Sequence, residues 1–340
     1  MAQTRFQRFG NDLYTGARSI DFVGKRKIWY SIAIVLTIAS ILIPIVKGGF
    51  NFGIDFTGGS QFTVAGVDST DQALAQQAVD KVEPNATVQI SVTEGTAGKG
   101  IRVQTDQLTT QQTKQVAANL GAAYGVPQAN VASTYIGPSW GQDVSRQAIQ
   151  GLVVFLLLAF IAMALYFRTW KMSAAAIISL FHDLIITAGV YALAGLEITP
   201  ATMIGFLTIL GYSLYDTVVV FDKIRENTRG DKEALKHTFP ESVNLAVNQT
   251  LVRSINTAVV AALPVGGILF IGSYVLGADT LRDISLALFI GILVGTYSTI
   301  FLAAPLYSDF RRKEPAIVKH DRRVLATRSK APVAADASVS

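Results

Sequence analysis

Six long apolar segments most limit what this chain can fold into. Each is nearly free of charge and has the length that an α-helix needs to cross a bilayer, about 20 residues. The predicted spans are residues 28–46, 148–167, 172–196, 198–221, about 251–276 and 284–307. Half of the 340 residues are hydrophobic and 16% are charged, whereas about a quarter is usual in a soluble domain. The sequence therefore predicts an α-helical polytopic membrane protein with six transmembrane helices.

Residues 47–146, between the first and second spans, have a different composition, which is polar and rich in Gln, Thr and Ala. β-Branched alternation predicts strands at residues 61–65, 87–93, 101–105 and 131–136. Apolar spacing after an Asp or Thr start predicts helices at residues 70–83 and 109–124. This βαββαβ order is typical of a ferredoxin-like α+β domain. Because one span precedes it, we expect this domain on the extracytoplasmic (periplasmic) side, ahead of a five-helix transmembrane region at residues 147–308.

The basic residues predict how the spans are oriented. Residues 1–27 are basic, the short turn at 168–171 is basic, and the tail at 309–340 carries basic residues up to Lys330. All three segments fall on one side if the six predicted spans cross, and that side is the cytoplasm by the positive-inside rule. We therefore expect both termini in the cytoplasm and an interfacial helix within residues 223–248 on the same side. The tail beyond Lys330, made almost entirely of small residues, is expected to be disordered.

The composition also argues against several classes of site. There is no cysteine, and the three histidines are far apart in the sequence, so we expect neither disulfides nor a metal site nor a cofactor. The net charge of +5 is modest and is concentrated at the two ends of the chain. That distribution suits a membrane surface better than a nucleic-acid groove, so no nucleic-acid partner is expected.

Two enzyme classes are not supported. Tyr215-Asp216 is similar to one half of the active site of intramembrane aspartyl proteases, but the second half, a Gly-x-Gly-Asp pattern, is missing. The glycine pairs at 48–49, 58–59 and 266–267 do not form a dinucleotide-binding fingerprint, and there is no Walker motif. The sequence therefore predicts a protein that is not an enzyme and that takes its energy from another source.

Asp216 is the residue for which we expect a chemical role. It lies inside the predicted span at 198–221, where an ionised carboxylate costs several kcal/mol and a neutral one much less. Its charge should therefore depend on its surroundings, as a proton carrier requires. Arg253 can reach a similar depth, because the fourth and fifth spans run in opposite directions, and an Asp–Arg pair would make both charges tolerable. Two alternatives stay open, namely a fixed interhelical hydrogen bond for Asp216 and snorkelling to the interface for Arg253.

Three further polar residues of the spans are candidates for the same relay. Asp183 lies near the middle of the third span and is either a relay member or a fixed polar anchor. Its neighbour His182 points about 100° away on a helix, so we do not expect the two side chains to face one cavity together. Asn256 and Thr257 follow Arg253 and are candidates for a polar path through the bundle.

One segment resembles a known family signature. The sequence FNFGIDFTGG at residues 50–59, directly after the first span, is similar to the signature of the SecF family of protein-export subunits, with Gly53, Asp55, Gly58 and Gly59 at motif positions. Five other segments fit the same family, namely IGPSWG at 136–141, GYSLYD at 211–216, DKIREN at 222–227, NQTLVR at 248–253 and GTYSTIF at 295–301. Their order and spacing cover the chain from about residue 21 to residue 307.

The resemblance implies a six-helix half of a transporter of the RND superfamily in the bacterial inner (plasma) membrane. It implies pairing with SecD in a complex that assists the SecYEG channel in late preprotein translocation, driven by the proton-motive force. The unfolded preprotein would be the client, membrane lipid would surround the bundle, and YajC is a further candidate partner. In that family Asp216 matches a proton-linked aspartate and Arg253 its nearby arginine.

The chain departs from the family pattern in two places. Tyr215 stands where Asn is expected, and residues 258–262 are apolar where Ser and Thr are usual, so we expect a less polar proton path. Two alternatives of other classes remain. One is half of an RND-type exporter of small molecules or lipids, for which the outer domain here is small. The other is a passive scaffold of the channel.

Overall fold

The computed structural model describes residues 5–95, 98–229, 236–272 and 279–330. In chain order its helices are α1 (Arg5–Thr15), α2 (Arg26–Lys47), α3 (Ile54–Thr57), α4 (Gln72–Asp80), α5 (Thr110–Tyr124), α6 (Pro138–Phe167), α7 (Trp170–Ala194), α8 (Pro200–Arg229), α9 (Phe239–Gly267), α10 (Asp279–Ser298), α11 (Ala304–Arg311) and α12 (Pro315–Lys330). The strands are β1 (Asn51–Phe52), β2 (Gly59–Ala65), β3 (Val88–Gly95), β4 (Gly98–Thr105), β5 (Val131–Ile136) and β6 (Glu197–Ile198). Two π-helical segments, Ile268–Gly272 and Thr299–Ala303, follow α9 and α10.

Six helical segments of the described chain are long and apolar enough to cross a membrane. They are α2, α6, α7, α8, α9 with its π-helical extension, and the continuous run from α10 to α11. This confirms the predicted number of spans. The helix α8 lies at the centre, packed against α7, α9 and α10, whereas α2, α6 and α9 leave most of their apolar surface uncovered. The bundle is therefore organised around α8.

Two helix starts differ from the prediction. The helix α6 begins at Pro138 rather than near residue 148, so the proposed domain boundary at 146/147 falls inside a helix. Its first turns are polar, and hydropathy detects only the apolar part; the actual start is set by a proline in the first turn, which is preorganised for helix. The helix α9 begins at Phe239 rather than near 251, because Thr238 and Glu241 form a capping box.

The interfacial helix predicted within residues 223–248 is wrong for the part of that range that the structure describes. Residues 223–229 continue α8, and residues 239–248 are the start of α9. The apolar residues that suggested an amphipathic surface helix pack into the bundle core instead, namely Phe239, Val243, Ala246 and Val247. Residues 309–330, predicted as part of a tail, are mostly helical in α11 and α12, and the stretch expected to be disordered, 331–340, lies outside the described residues.

The α+β domain has the predicted βαββαβ order, formed by β2, α4, β3, β4, α5 and β5. Its sheet is antiparallel with the strand order β3-β4-β2-β5, so β4 and β2 are the central strands, and both are far more buried than the edge strand β5. Phe62 and Val64 of β2 and Ile101 and Val103 of β4 alternate onto the face covered by α4 and α5. This alternation, with period two, is the pattern that made the domain predictable.

The segment 50–59 forms the junction between the domain and the bundle. β1 pairs in parallel with β6, which lies between α7 and α8, and the Gly53 amide donates to the Ile198 carbonyl (3.0 Å). The Glu197 carboxylate lies 3.3 Å from the Arg102 guanidinium and accepts a hydrogen bond from Gln104 (2.6 Å) on the sheet. The domain is therefore held to the start of α8 by backbone and charged contacts.

Gly59 allows a close backbone approach at this junction. Its φ is +134°, and a Cβ atom there would overlap the Thr105 carbonyl oxygen of the neighbouring strand. Gly49 has a similar φ, +129°, but a Cβ atom there would meet nothing within 4 Å. The two glycines therefore separate the cost of backbone strain from the cost of steric overlap.

We predict that Gly59→Ala destabilises the α+β domain by about 3 kcal/mol or more, because strain and overlap add. Gly49→Ala, the matched control, should cost only about 1–2 kcal/mol, the strain alone. The measurement is the thermal unfolding of the full chain with protease sensitivity of the domain as the probe. Equal effects of the two substitutions would contradict the assigned packing.

Candidate functional site

The inner face of α8 carries the polar residues of the bundle core. Ser213, Asp216 and Thr217 are spaced i, i+3 and i+4, which puts them on one face of the helix, and all three are buried. A different element meets each of them: Asp183 of α7 contacts Ser213, Ser254 of α9 contacts Asp216, and the π-helical segment after α10 contacts Thr217. The result is a row of polar contacts along the central helix.

One carboxylate oxygen of Asp216 accepts a hydrogen bond, and the other has no hydrogen-bond partner among the described residues. Its side chain is 4% exposed, and the Ser254 hydroxyl donates a hydrogen bond to Oδ1 (2.8 Å). Oδ2 is buried and has no hydrogen-bond partner in the described part of the chain. A buried carboxylate with one unpaired oxygen is costly in its charged form, and protonation removes that charge. The geometry is therefore suited to binding and releasing a proton.

Asp183 is the most deeply buried carboxyl group of the bundle, with no exposed surface. The Ser213 hydroxyl donates to its Oδ2 (2.6 Å), and Nδ1 of His182 lies 3.4 Å from its Oδ1. The two adjacent residues therefore do touch, although His182 also borders an apolar groove against α2 that Asp183 does not reach. Gly295 leaves the space for the hydrogen bond between Ser213 and Asp183, because a Cβ atom there would lie 3.1 Å from the Ser213 hydroxyl.

A pair of threonines extends the polar row. The hydroxyls of Thr217 and Thr299 lie 3.0 Å apart, and both residues are buried. Sequence reasoning missed Ser213, Thr217, Ser254 and Thr299. The polar spacing of 213, 216 and 217 within an apolar run was the signal for the first two. These hydroxyls line the core beside Asp183 and Asp216.

The predicted ion pair between Asp216 and Arg253 is not formed among the described residues. Arg253 is exposed, and its guanidinium lies 3.5 Å from the hydroxyl of Tyr215, whose side chain is 55% exposed. Asn256 is exposed as well, and Thr257 donates to the Arg253 carbonyl (2.8 Å) without reaching the core. The helix α8 thus directs Asp216 into the core and Tyr215 outward, and α9 directs Ser254 into the core and Arg253 outward.

The motif residue Asp55 lies outside the bundle, at the junction with the domain. Burial, and next the nearby carboxylate of Glu197, raise the pKa of the Asp55 carboxyl group above its usual value. Two neighbouring glycines have different reasons for their identity: Gly58 has a φ of +73°, and a Cβ atom at Gly53 would lie 2.6 Å from the Glu197 carboxylate. Within the described ranges no cluster of three or more potential ligands could hold a metal ion.

The fold defines a class of protein, a helical multi-pass membrane protein, and this one has two carboxyl groups buried in its helical core. Family models identify the family within this class. The model "Protein export membrane protein SecD/SecF, C-terminal" matches residues 116–313, and "SecD/SecF GG Motif" matches residues 45–65. The chain belongs to the SecD/SecF family of protein-export membrane proteins.

Individual relatives agree with this assignment. The protein translocase subunit SecF of Streptomyces coelicolor is 44% identical over 94% of this chain and 84% of its own length. That of Mycobacterium leprae is 37% identical over 96% and 71%. The crystal structure of SecDF, a translocon-associated membrane protein from Thermus thermophilus, superposes with a TM-score of 0.74 at 30% identity and covers 87% of this chain. The chain spans only 39% of that SecDF chain. These names favour the export subunit over the small-molecule or lipid exporter.

We predict that Ser213→Ala destabilises the protein by about 1–3 kcal/mol, because it leaves the buried carboxyl group of Asp183 without its donor. Ser179 is the matched control, since it is equally buried on α7 but its hydroxyl has no hydrogen-bond partner among the described residues. Ser179→Ala should be neutral or stabilising. Thermal unfolding in detergent measures both, and similar losses for the two serines would contradict the assigned role of Ser213.

Proposed function

We propose that this chain is the SecF-type subunit of a bacterial protein-export complex and that it couples the proton-motive force to late translocation of a preprotein. The observation that carries this proposal is the environment of Asp216, which is buried on the central helix. One carboxylate oxygen accepts a hydrogen bond from Ser254, and the other has no partner among the described residues. A group of this kind can exchange a proton during each working cycle. The chain itself supplies a transport step and no enzymatic one.

We propose a SecD-type half as the direct partner. In the SecDF relative the region similar to this chain is part of a longer chain, which supports a companion half. Tyr215, Arg253 and Asn256 form an outward polar strip on α8 and α9, within helices of membrane-spanning length. Polar and charged groups that face lipid are costly, so a second helical bundle over this strip accounts for them. The SecYEG channel, YajC and an unfolded preprotein are proposed as the wider set of partners.

The proposed orientation follows from the basic segments. The turn between α6 and α7 and the helix α12 are basic, and they lie at the end of the bundle that is opposite to the α+β domain in a six-span arrangement. Both termini then lie in the cytoplasm and the domain lies outside the bacterial inner membrane. In this orientation a proton that is driven inward reaches the bundle from the side of the domain.

The helix α8 gives a short mechanical route from Asp216 to the domain. β6 ends two residues before α8 begins, and it pairs with β1 at the base of the domain. Protonation of Asp216 changes its hydrogen bonding to Ser254, and therefore the contact between α8 and α9. A shift of α8 moves β6, and the domain attached to it through Glu197 and Arg102 changes its angle.

The available energy sets what this motion can do. One elementary charge that crosses the membrane is worth ~2.3 kcal/mol per 100 mV. One or two protons per cycle can bias a domain swing of a few kcal/mol, but they cannot unfold a domain with a stability of roughly 5–15 kcal/mol in one step. The proposal is therefore that the complex pulls or ratchets an already unfolded chain.

We predict that Asp216→Asn abolishes the gradient-dependent part of export while pairing with SecD is retained, because Asn keeps the shape and the hydrogen bond but cannot release a proton. The measurement is preprotein export into inverted membrane vesicles with the gradient intact and collapsed. Asp222→Asn is the control, since Asp222 is an exposed carboxylate on the same helix. A normal gradient response in Asp216→Asn would leave only the passive-scaffold alternative.

We predict that Gly211→Leu weakens association with SecD. Gly211 lies on the outward face of α8 one turn from Tyr215, and a Cβ atom there would meet nothing within 4 Å among the described residues. The substitution leaves the fold of the isolated subunit intact. Gly151→Leu on α6 is the matched control, an exposed position on another helix where a Cβ atom would be in ordinary contact with the Leu207 side chain (3.9 Å). Co-purification of the two subunits measures the effect, and equal association for both variants would contradict the proposed interface.

A further inference from the structure

A cavity of about 520 Å³ opens at the end of the bundle that carries the basic tail. It lies between the ends of α6 and α8 and the starts of α7, α9 and α12. None of the described side chains that line it is acidic, and three of them are arginines, namely Arg168, Arg225 and Arg311. The proton route proposed above does not use this cavity.

Two of these arginines have no carboxylate to balance them in the part of the chain that the structure describes. Arg311 is paired with Glu314 (2.8 Å), but within the described ranges neither Arg168 nor Arg225 forms an ion pair. Arg225 donates only to the Tyr166 carbonyl (3.3 Å) and stacks 5.8 Å from that ring, while its Nε atom is buried without a partner. A buried guanidinium N–H without an acceptor is costly, so Arg225, which lines the cavity, has a hydrogen-bond donor that still lacks an acceptor.

The backbone adds positive potential at the same place. The first turns of α7, α9 and α12 all contribute to the lining, and helix N-termini attract anions. The start of α9 is already capped by Thr238 and by the Asp321 carboxylate. The N-cap residue of α7, Thr169, makes no side-chain capping hydrogen bond among the described residues, so this N-terminus remains available to a ligand.

Arg168 occupies its position at a conformational cost. Its φ is +55°, and among the described residues it is the one non-glycine residue with a positive φ. It ends α6 in the left-handed conformation that helices usually give to glycine or asparagine. Backbone strain of this kind is characteristic of sites where the side chain has a function. Here that side chain lines the cavity.

We propose that this cavity binds a phosphate group, held by the guanidinium groups of Arg168 and Arg225 and by the start of α7. A phosphate group is anionic both in a phospholipid and in a soluble phosphate compound, and it has several strong acceptor oxygens that two guanidinium groups can contact together. Thr169 and Ser242 line the same space and add hydroxyl donors, whereas the Thr228 hydroxyl already donates to the Ile224 carbonyl (2.8 Å). The phosphate comes either from an anionic phospholipid of the adjacent leaflet or from a soluble phosphate compound.

The test uses the full chain purified in detergent with two probes. Retention of phosphatidylglycerol against phosphatidylcholine is measured by native mass spectrometry, and the response to inorganic phosphate is measured as a shift in unfolding temperature. Arg225→Gln and Arg168→Gly are compared with Arg322→Gln, which removes one exposed arginine of α12 outside the cavity. We expect each cavity variant to weaken binding of the active probe by about tenfold or more, and the control to bind as the parent protein does.

Arg168→Gly gives a second readout that does not depend on how well Arg225→Gln folds. Because glycine accepts the left-handed conformation without strain, this variant should unfold at a higher temperature in the absence of both probes while it binds them more weakly. Loss of phosphatidylglycerol retention identifies a lipid as the source, and loss of the phosphate response identifies a soluble ligand. The proposal is overturned if neither probe binds the parent protein, or if the cavity variants and the control bind alike.

Discussion

A carboxyl group inside a layer of apolar helices needs a hydrogen-bond donor, and this requirement organises the bundle. Asp183 and Asp216 each receive one hydroxyl from a neighbouring helix, from Ser213 and Ser254 respectively. These hydroxyls fix which faces of α7, α8 and α9 meet. Gly295 of α10 is also needed, since its lack of a side chain leaves room for the contact between Ser213 and Asp183. The two carboxyl groups differ in that Asp216 alone has a buried oxygen without a partner among the described residues.

The helix α8 connects the separate parts of the molecule. Its start follows β6, which holds the α+β domain, its middle carries Asp216, and its last turns carry Arg225 at the basic cavity. A displacement that begins at the carboxyl group can therefore reach both ends of the bundle along one rigid element. If phosphate occupies the cavity, it ties the end of α8 to the turn after α6, which gives the moving helix a fixed end.

The sequence predicted most of the fold because hydrophobic patterns mark spans and alternation marks strands. The six spans and the βαββαβ domain followed from these patterns. The starts of α6 and α9 did not, since the first turn of α6 depends on Pro138 and that of α9 on the capping box at Thr238, and hydropathy registers neither. The site was predictable only in part. Asp216 stood out as a charge in an apolar run, whereas the outward direction of Arg253 depends on how α9 rotates against α8.

The central claim is that Asp216 changes its protonation during the working cycle. Infrared difference spectroscopy on the subunit reconstituted with SecD tests it directly, with the Asp216→Asn variant used to assign the carboxyl band. The account predicts that a protonated-carboxyl band of Asp216 changes in intensity when the gradient is applied and again when it is collapsed. A band that stays constant under both conditions, at either protonation, would contradict it.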